Sequence, residues 1–201
     1  MNLISMKNFI SVIAVGLLMV SSAARADRLR GTGSHSTASQ GFFKEHSIRL
    51  GVDTEVGVPL GNYSDANSVG GGAFLNGELA LLEQLGGTLR IGFQAHMDRT
   101  VGGVDSHVNA IPALLGVKYY VGPDRQGMFG AFELGIFDLI SSVSRGTAST
   151  SSNDMRFGMG AGIGYQQSRW SARVNLHSQN VGSFANAMMI SGGVGYQFAG
   201  L

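Results

Sequence analysis

Residues 47–60, SIRLGVDTEVGVPL, alternate between two kinds of side chain at every second position. The even positions are apolar or threonine, and the odd positions are mostly charged residues, glycine or serine. Successive side chains of a β-strand point to opposite faces, so this period predicts a strand with one apolar and one polar face. In a soluble sheet, the apolar face packs on a core and the polar face meets water. In a membrane barrel, the apolar face meets lipid and the polar face lines the lumen.

Seven further stretches repeat the alternation, so the chain is predicted to be all-β, an eight-stranded antiparallel transmembrane β-barrel. These stretches are residues 72–82, 88–97, 108–121, 128–137, 155–166, 170–177 and 188–198. An even number of strands brings both chain ends to the same rim. Pro112 lies within the fourth strand and has no N–H to give to the ladder, so we expect a bulge or a local break there.

The connections between these stretches alternate in length. Long connections follow the first, third, fifth and seventh strands, at residues 61–70, 98–107, 141–154 and 178–187. Short ones follow the second, fourth and sixth strands, at residues 83–87, 122–127 and 167–169. Outer-membrane barrels have long loops outside and short turns in the periplasm. We therefore expect both termini to be periplasmic.

Five aromatic residues of the apolar face cluster toward the rim with the short turns. They are Tyr119, Tyr165, Trp170, Tyr196 and Phe198. Aromatic rings favour the headgroup level of a bilayer, so this cluster predicts an aromatic belt at one membrane interface.

Composition favours the membrane barrel over a soluble barrel of lipocalin type. Charged residues make up 13% of the chain, about half the roughly 25% usual in soluble domains. Glycine accounts for 31 of the 201 residues, about twice its roughly 7% average. A water-facing exterior with so few charges would disperse poorly, and a soluble sheet has no reason to gather aromatic residues at one rim.

The first 26 residues have the features of an export signal. Lys7 precedes the apolar run of residues 10–20, and Ala24-Arg25-Ala26 fits a small-x-small cleavage pattern. We expect residues 1–26 to be a signal peptide, 27–45 a flexible periplasmic lead-in, and 46–201 the barrel. Cleavage leaves 12 basic and 13 acidic side chains, so no nucleic-acid partner is expected. The chain has no cysteine for a disulfide or a lipid anchor.

With this architecture and the terminal strand GGVGYQF, residues 46–198 resemble the small eight-stranded bacterial outer-membrane barrels, such as OmpX and the membrane domain of OmpA. The resemblance implies that outer-membrane lipid surrounds the barrel and that the barrel-assembly machinery reads the last strand. That family usually ends on the aromatic residue, whereas Ala199-Gly200-Leu201 follow Phe198 here. We expect a monomer without a cofactor.

Charged residues on the polar faces are expected to point into the lumen. They are Arg49, Asp53, Glu55, Glu78, Arg90, Lys118, Glu133, Arg156 and Arg173. Eight strands leave an interior only wide enough for side chains to fill it. An unpaired charge there is costly, so the set favours a plug of ion pairs over a selective pore. One expected pair is Lys118 with Glu133, across the hairpin of the fourth and fifth strands.

GMGAGIG, residues 158–164, lacks the GxGxxG spacing of a phosphate-binding loop and continues the strand alternation instead. A turn at residues 167–170 predicts that Gly160, Gly162 and Gly164 stand opposite His177, Asn175 and Arg173. We expect these glycines to make room for their longer neighbours.

The sequence predicts neither catalysis nor a metal site. LHSQNVG, residues 176–182, faintly resembles a stretch of the PagL lipid A deacylases, but His177 and Ser178 are adjacent and thus on opposite faces. No acidic residue follows Asp154, and the histidines are scattered. The expected role is structural or in surface interactions through the long loops, with the outside ligand left open. The alternatives are a narrow channel for small solutes or ions and, less favoured, a lipid-modifying enzyme.

Overall fold

A computed structural model describes residues 48–201. The expected signal peptide, the expected lead-in and the first two residues of the expected barrel lie outside the described residues. The strands are β1 (Ile48–Pro59), β2 (Gly70–Leu82), β3 (Leu85–His96), β4 (Arg99–Val101), β5 (Val104–Tyr120), β6 (Gly127–Arg145), β7 (Ala148–Gln167), β8 (Trp170–Ser178) and β9 (Met188–Gly200). A helical turn, α1 (Tyr63–Ala66), follows β1, and short 3-10 segments occupy Pro123–Arg125 and Val181–Ala187.

Eight of these strands form a closed antiparallel ring. Neighbouring strands pair in the order β3-β2-β1-β9-β8-β7-β6-β5, and β3 pairs with β5 to close it. The short strand β4 pairs only with the outer end of β5, so it extends the wall without joining the ring. The expectation of an all-β, eight-stranded antiparallel barrel is confirmed. Among residues 48–201, none of the helices has the length and hydrophobicity needed to cross a membrane.

The polar and apolar faces of β1 separate as the alternation predicts. Asp53 and Glu55 are 6% and 5% exposed, whereas Val52 and Val56 are each 40% exposed. The other ring strands follow the same rule, with large apolar side chains such as Leu75, Ile91, Leu115, Ile163 and Val174 on the outside. The barrel is therefore inverted relative to a soluble protein, because its apolar side chains cover the exterior.

The two rims differ as expected, with two exceptions. Two-residue turns join β2 to β3 and β7 to β8 at the rim that also holds Ile48 and Leu201, the two ends of the described residues. The segment 141–154, expected to be a loop, instead continues β6 and β7 as a paired hairpin out to Arg145 and Ala148, with the turn at Gly146 (φ 60°). Both faces of this segment are polar, so its sequence has no alternation that would indicate a strand. Its backbone hydrogen bonds nevertheless continue the pairing of β6 with β7. Residues 98–107 likewise form β4 and the start of β5.

Pro112 breaks the ladder on one side only. Its strand pairs with β6 without a shift, and Pro112 stands opposite Phe137. Toward β3, the pairs Ile91–Ala113 and Gln94–Ala110 leave the two positions between them unpaired. Proline contributes no donor, so the expected irregularity takes the form of a local break at a constant register.

We expect arginine at an outward mid-strand position to destabilise the barrel in lipid. Val174→Arg places a charge where Val174 is half exposed on the apolar exterior, and such a change costs about 2–4 kcal/mol near the bilayer midplane. Ser149→Arg, in the exposed hairpin beyond the ring, is the control and should change little. Urea unfolding in lipid vesicles measures both. Equal stabilities of the two variants would mean that the apolar exterior does not meet lipid.

Candidate functional site

The middle of the lumen holds a network of two arginines and three carboxylates. Arg90 donates from Nε to Asp53 Oδ2 at 3.0 Å and from Nη1 to Glu133 Oε2 at 3.1 Å, and its Nη2 pairs with Glu55. Arg173 donates to both oxygens of Glu133 at 3.1 Å and from Nε to Glu55 Oε1 at 3.2 Å. The five side chains come from β1, β3, β6 and β8, so the network ties opposite walls of the barrel together.

Neutral groups complete the hydrogen bonds of this network. Asn76 donates to the second oxygen of Asp53 at 2.6 Å, and Ser191 donates to Glu55 Oε2 at 3.1 Å. The guanidinium of Arg90 also lies over the Phe74 ring, with Cζ 4.1 Å from its centroid. Buried ion pairs are tolerated when further hydrogen bonds satisfy the remaining lone pairs and protons, and this network meets that condition at Glu55 and Asp53.

A second group surrounds Glu78 near the short-turn rim. Three cations lie close to its carboxylate: Arg49 and Arg125 at 3.7 Å and Lys118 at 3.5 Å. Tyr120 donates its hydroxyl to Glu78 at 2.7 Å. Arg49 also donates from Nη2 to the carbonyl oxygen of Asp124 at 3.2 Å, so this group holds the 3-10 segment of the β5–β6 turn against the barrel mouth.

A third, mostly neutral group closes the outer mouth. Tyr63 of α1 donates to Gln179 at 2.7 Å, and Gln179 donates to Gln94 at 3.3 Å. Asn67 accepts a hydrogen bond from the Val108 N–H at 2.6 Å. Burial raises the pKa of the Tyr63 hydroxyl, which therefore stays a donor. The loop after β1 is thus folded across the lumen.

Little space remains between these groups. One void of about 10 Å³ is lined by residues that include Glu133, Phe137 and His177, and another of the same volume lies beside Glu55 and His96. A volume of that order accommodates about one water molecule.

Eight of the nine charged residues expected in the lumen are buried there: Arg49, Asp53, Glu55, Glu78, Arg90, Lys118, Glu133 and Arg173. Arg156 lies apart. Its side chain is 47% exposed and pairs with Asp154, because the β6–β7 hairpin carries it past the end of the filled lumen. The expected partners of Lys118 and Glu133 also differ, since Lys118 pairs with Glu78 and Glu133 with the two arginines.

Sequence reasoning missed several lumen residues. Arg125 is 4% exposed although it belongs to a short turn, where a charged residue is expected to face water. Its φ of 54° is left-handed, as is that of Asp124, and this backbone turns the segment toward the mouth. Tyr120 is fully buried on the polar face, to which the alternation of its strand assigns it, and its hydroxyl donates to Glu78.

The predicted register of β7 and β8 is confirmed. Gly160 pairs with His177, Gly162 with Asn175 and Gly164 with Arg173. A Cβ on Gly160 would lie 2.8 Å from the His177 Cβ, so the glycine does make room for its neighbour.

The His177 and Ser178 pair has no triad geometry. Ser178 Oγ donates to the carbonyl oxygens of Asn180 and Phe184, at 3.1 and 3.0 Å. These bonds hold the hydroxyl within the connection that follows β8. Within residues 48–201, no three His, Asp or Glu side chains are grouped to hold a metal ion.

The five aromatic residues lie at the short-turn rim on the outer face. Tyr119, Tyr165, Trp170 and Phe198 are 49–56% exposed, and Tyr196 is partly covered by Trp170, with ring centroids 4.8 Å apart. Their position at a lipid interface stays a prediction.

An inverted, closed, eight-stranded antiparallel ring with a charged interior is the fold of the small transmembrane β-barrels of bacterial outer membranes. Comparison with solved structures finds this fold in the N-terminal β-barrel domain of Pseudomonas aeruginosa OprF, with a TM-score of 0.53 and 15% identity over 76% of this chain and 98% of that one. Ail, the attachment invasion locus protein of Yersinia pestis, is similar at a TM-score of 0.51 and 13% identity, over 76% and 97% of the two chains.

Neisserial surface protein A has the same architecture, with a TM-score of 0.51 and 11% identity over 76% of this chain and 97% of that chain. At these identities the similarity establishes the fold and leaves the role open. No protein-family model and no curated protein matches the sequence.

We expect the Arg173 and Glu133 side chains to be energetically coupled. Arg173→Met or Glu133→Gln alone leaves partners buried and incompletely paired, which costs about 3–5 kcal/mol. The double variant should be less destabilised than the sum of the single changes. The control cycle combines Lys118→Met with Glu133→Gln, whose side chains have different partners, and should be closer to additive. Urea unfolding in vesicles gives the four stabilities of each cycle, and equal coupling in both would contradict this pairing.

Proposed function

We propose that the protein is a monomeric outer-membrane barrel with a closed lumen that acts through the surface it presents outside the cell. The observation that carries this proposal is the β6–β7 hairpin. Its strands pair out to Arg145 and Ala148, whereas β8 begins to pair with β7 only at Met159. About ten residues of each strand therefore extend past the end of β8.

The surface of this hairpin supports a role in contacts with molecules in water. Residues 148–157 are exposed on both faces, and Ser, Thr and Asn dominate residues 149–153. Together with β4 and the outer end of β5, the hairpin forms a small sheet beyond the ring. We infer that this sheet is extracellular and that the short turns and both chain ends are periplasmic, because long connections lie outside in such barrels.

The filled lumen argues for a closed barrel. Nine charged side chains are buried among residues 48–201, and the central network joins strands on opposite sides of the ring. A conducting path would require breaking several ion pairs in a low-dielectric site, which is costly. The barrel is thus proposed to serve as a rigid support, without a catalytic role.

The orientation is testable with single cysteines, because the chain contains none. We expect Ser149→Cys, in the hairpin, to react with a membrane-impermeant maleimide in intact cells. Glu83→Cys, in the exposed β2–β3 turn, is the matched control and should react only after the outer membrane is permeabilised. Labelling of Glu83→Cys in intact cells with protection of Ser149→Cys would reverse the proposed orientation.

A closed lumen predicts that the wild-type barrel does not conduct ions across a bilayer. Wild-type protein reconstituted in planar bilayers should give no steady conductance steps, because guanidinium–carboxylate pairs span the lumen. Glu133→Ala combined with Arg173→Ala removes the bidentate pair and both long side chains, and should give conducting events if the variant folds, as judged by its heat-dependent gel mobility. Steady wild-type conductance would contradict the proposal and favour the narrow channel.

A further inference from the structure

The sheet beyond the ring, formed by β4, the outer end of β5 and the β6–β7 hairpin, has an inner face that continues the lumen wall. The register of β6 with β5 and β7 runs without a shift from the buried Glu133 to the end of the hairpin. Alternate positions outward from Glu133, which include Val143, therefore share its face. Val143 stands opposite Ser106 of β5 and Thr150 of β7. Arg99 of β4 stands opposite Ser106, so one row of side chains crosses the whole inner face.

The two faces of this sheet differ in charge. Its arginines all lie on the inner face, and they are Arg99, Arg145 and Arg156. Asp154 is the one acidic residue on that face, and it pairs with Arg156. The outer face carries acidic residues and no arginine or lysine, and its acidic residues are Asp105 and Asp138. The inner face therefore has an excess of positive charge, and among residues 48–201 neither Arg99 nor Arg145 forms an ion pair with a carboxylate.

An apolar strip lies beside these arginines on the inner face. Val143 is 47% exposed and Val101 is 62% exposed. Val104 stands opposite Val101, and the strip continues toward the barrel mouth through the half-buried Val108 and Leu139. Lipid surrounds the outside of the ring, whereas the inner face of the sheet looks over the mouth. Neighbouring apolar side chains that meet neither a core nor lipid indicate a surface for a partner.

The combination of charge and apolar groups defines the chemistry of that partner. The arginines favour an anionic partner, because a guanidinium binds a carboxylate through two parallel hydrogen bonds. A sulfated glycan would pair with the arginines but would leave the valines in water. A second copy of the barrel beside this one in the same membrane would meet the outer face, since the inner face looks over its own mouth.

We propose that the inner face binds an acidic segment of another protein, whose carboxylates pair with Arg99 and Arg145 and whose apolar side chains cover Val101 and Val143. This inference rests on the proposed function, which takes the sheet to be outside the cell. Arg99 and Arg145 lie two strands apart and are offset by two residues, which separates their Cα atoms by about 12 Å. An extended segment covers that distance in about four residues, so alternate positions Glu-x-Val-x-Glu match an arginine, a valine and a second arginine.

The test uses the wild-type barrel in nanodiscs of zwitterionic lipid, with the fluorescein-labelled peptide ESVSESVSE as the probe. In an extended peptide of this sequence, all glutamates and valines lie on one face. Fluorescence anisotropy should show saturable binding that weakens as the salt concentration rises. The peptide KSVSKSVSK has the opposite charge and should not bind. The peptide ESSSESSSE lacks the valines and should bind about fivefold more weakly.

Matched variants locate the binding on one face of the sheet. Arg145→Gln on the inner face and Ser142→Glu on the outer face lower the net charge equally. Arg145→Gln should weaken binding of ESVSESVSE by about threefold to fivefold, and Val143→Ser by a similar factor. Ser142→Glu should bind as the wild type does. Heat-dependent gel mobility establishes that each variant is folded.

Three results would overturn the proposal: no binding of ESVSESVSE to the folded wild type, equal binding of KSVSKSVSK, or an equal loss in Ser142→Glu and Arg145→Gln. Binding of dextran sulfate without binding of ESVSESVSE would overturn it in favour of a sulfated glycan. Self-association of the wild type that Arg145→Gln abolishes, without peptide binding, would overturn it in favour of a contact between copies. Nanodiscs expose both sides of the membrane, so peptide binding reports on this surface alone, whereas cysteine labelling reports on the orientation that the proposed function requires.

Discussion

Closure of the ring is the constraint on which the rest of the structure depends. In a bilayer, an unpaired backbone N–H or C=O costs several kcal/mol, so a sheet can span only if its first and last strands pair. Here β1 pairs with β9 along most of its length, with one register shift between Leu50 and Gly51. The Ile48 N–H donates to the Leu201 carbonyl oxygen at 3.0 Å and so joins the first and last described residues.

A closed ring of eight strands sets the width of the interior, and that width sets the chemistry of the lumen. The inner positions are too close together for a column of water and too polar for an apolar core. Charged side chains therefore pair across the barrel, as Arg90 and Arg173 do with Glu55 and Glu133. Where two long side chains would collide, one position is glycine, as at Gly160 beside His177. Part of the glycine content thus has a packing cause.

The fold could be predicted from the sequence because apolar and polar side chains alternate at every second position. This alternation shows that the two faces of each strand meet different environments. Residues 48–59 show this clearly, since each outward position is apolar or threonine and each inward one is charged, glycine or proline. The strands at residues 141–154 could not be predicted in this way, because both faces of the hairpin are polar and the sequence does not alternate there. Which residues are inside was thus easier to predict than how far the strands extend.

The ion-pair partners within the lumen could not be predicted from the sequence. Alternation assigns each side chain to the inner or outer face, but it fixes neither the position along the barrel axis nor the direction in which a long side chain extends. Lys118 and Glu133 lie on adjacent strands, yet Lys118 turns toward Glu78 and the short-turn rim. Arg125 enters from a turn, which no strand pattern describes.

The central claim is that the lumen arginines are held in a dry ion-pair network, and hydrogen exchange of their side chains tests it most directly. In ¹⁵N spectra of the barrel in lipid nanodiscs, the Nε–H groups of Arg90 and Arg173, which donate to Asp53 and Glu55, should resist exchange with D₂O. The exposed Arg156 serves as the internal reference and should exchange at once. Exchange of Arg90 and Arg173 as fast as that of Arg156 would contradict the account, because it would mean that water fills the lumen.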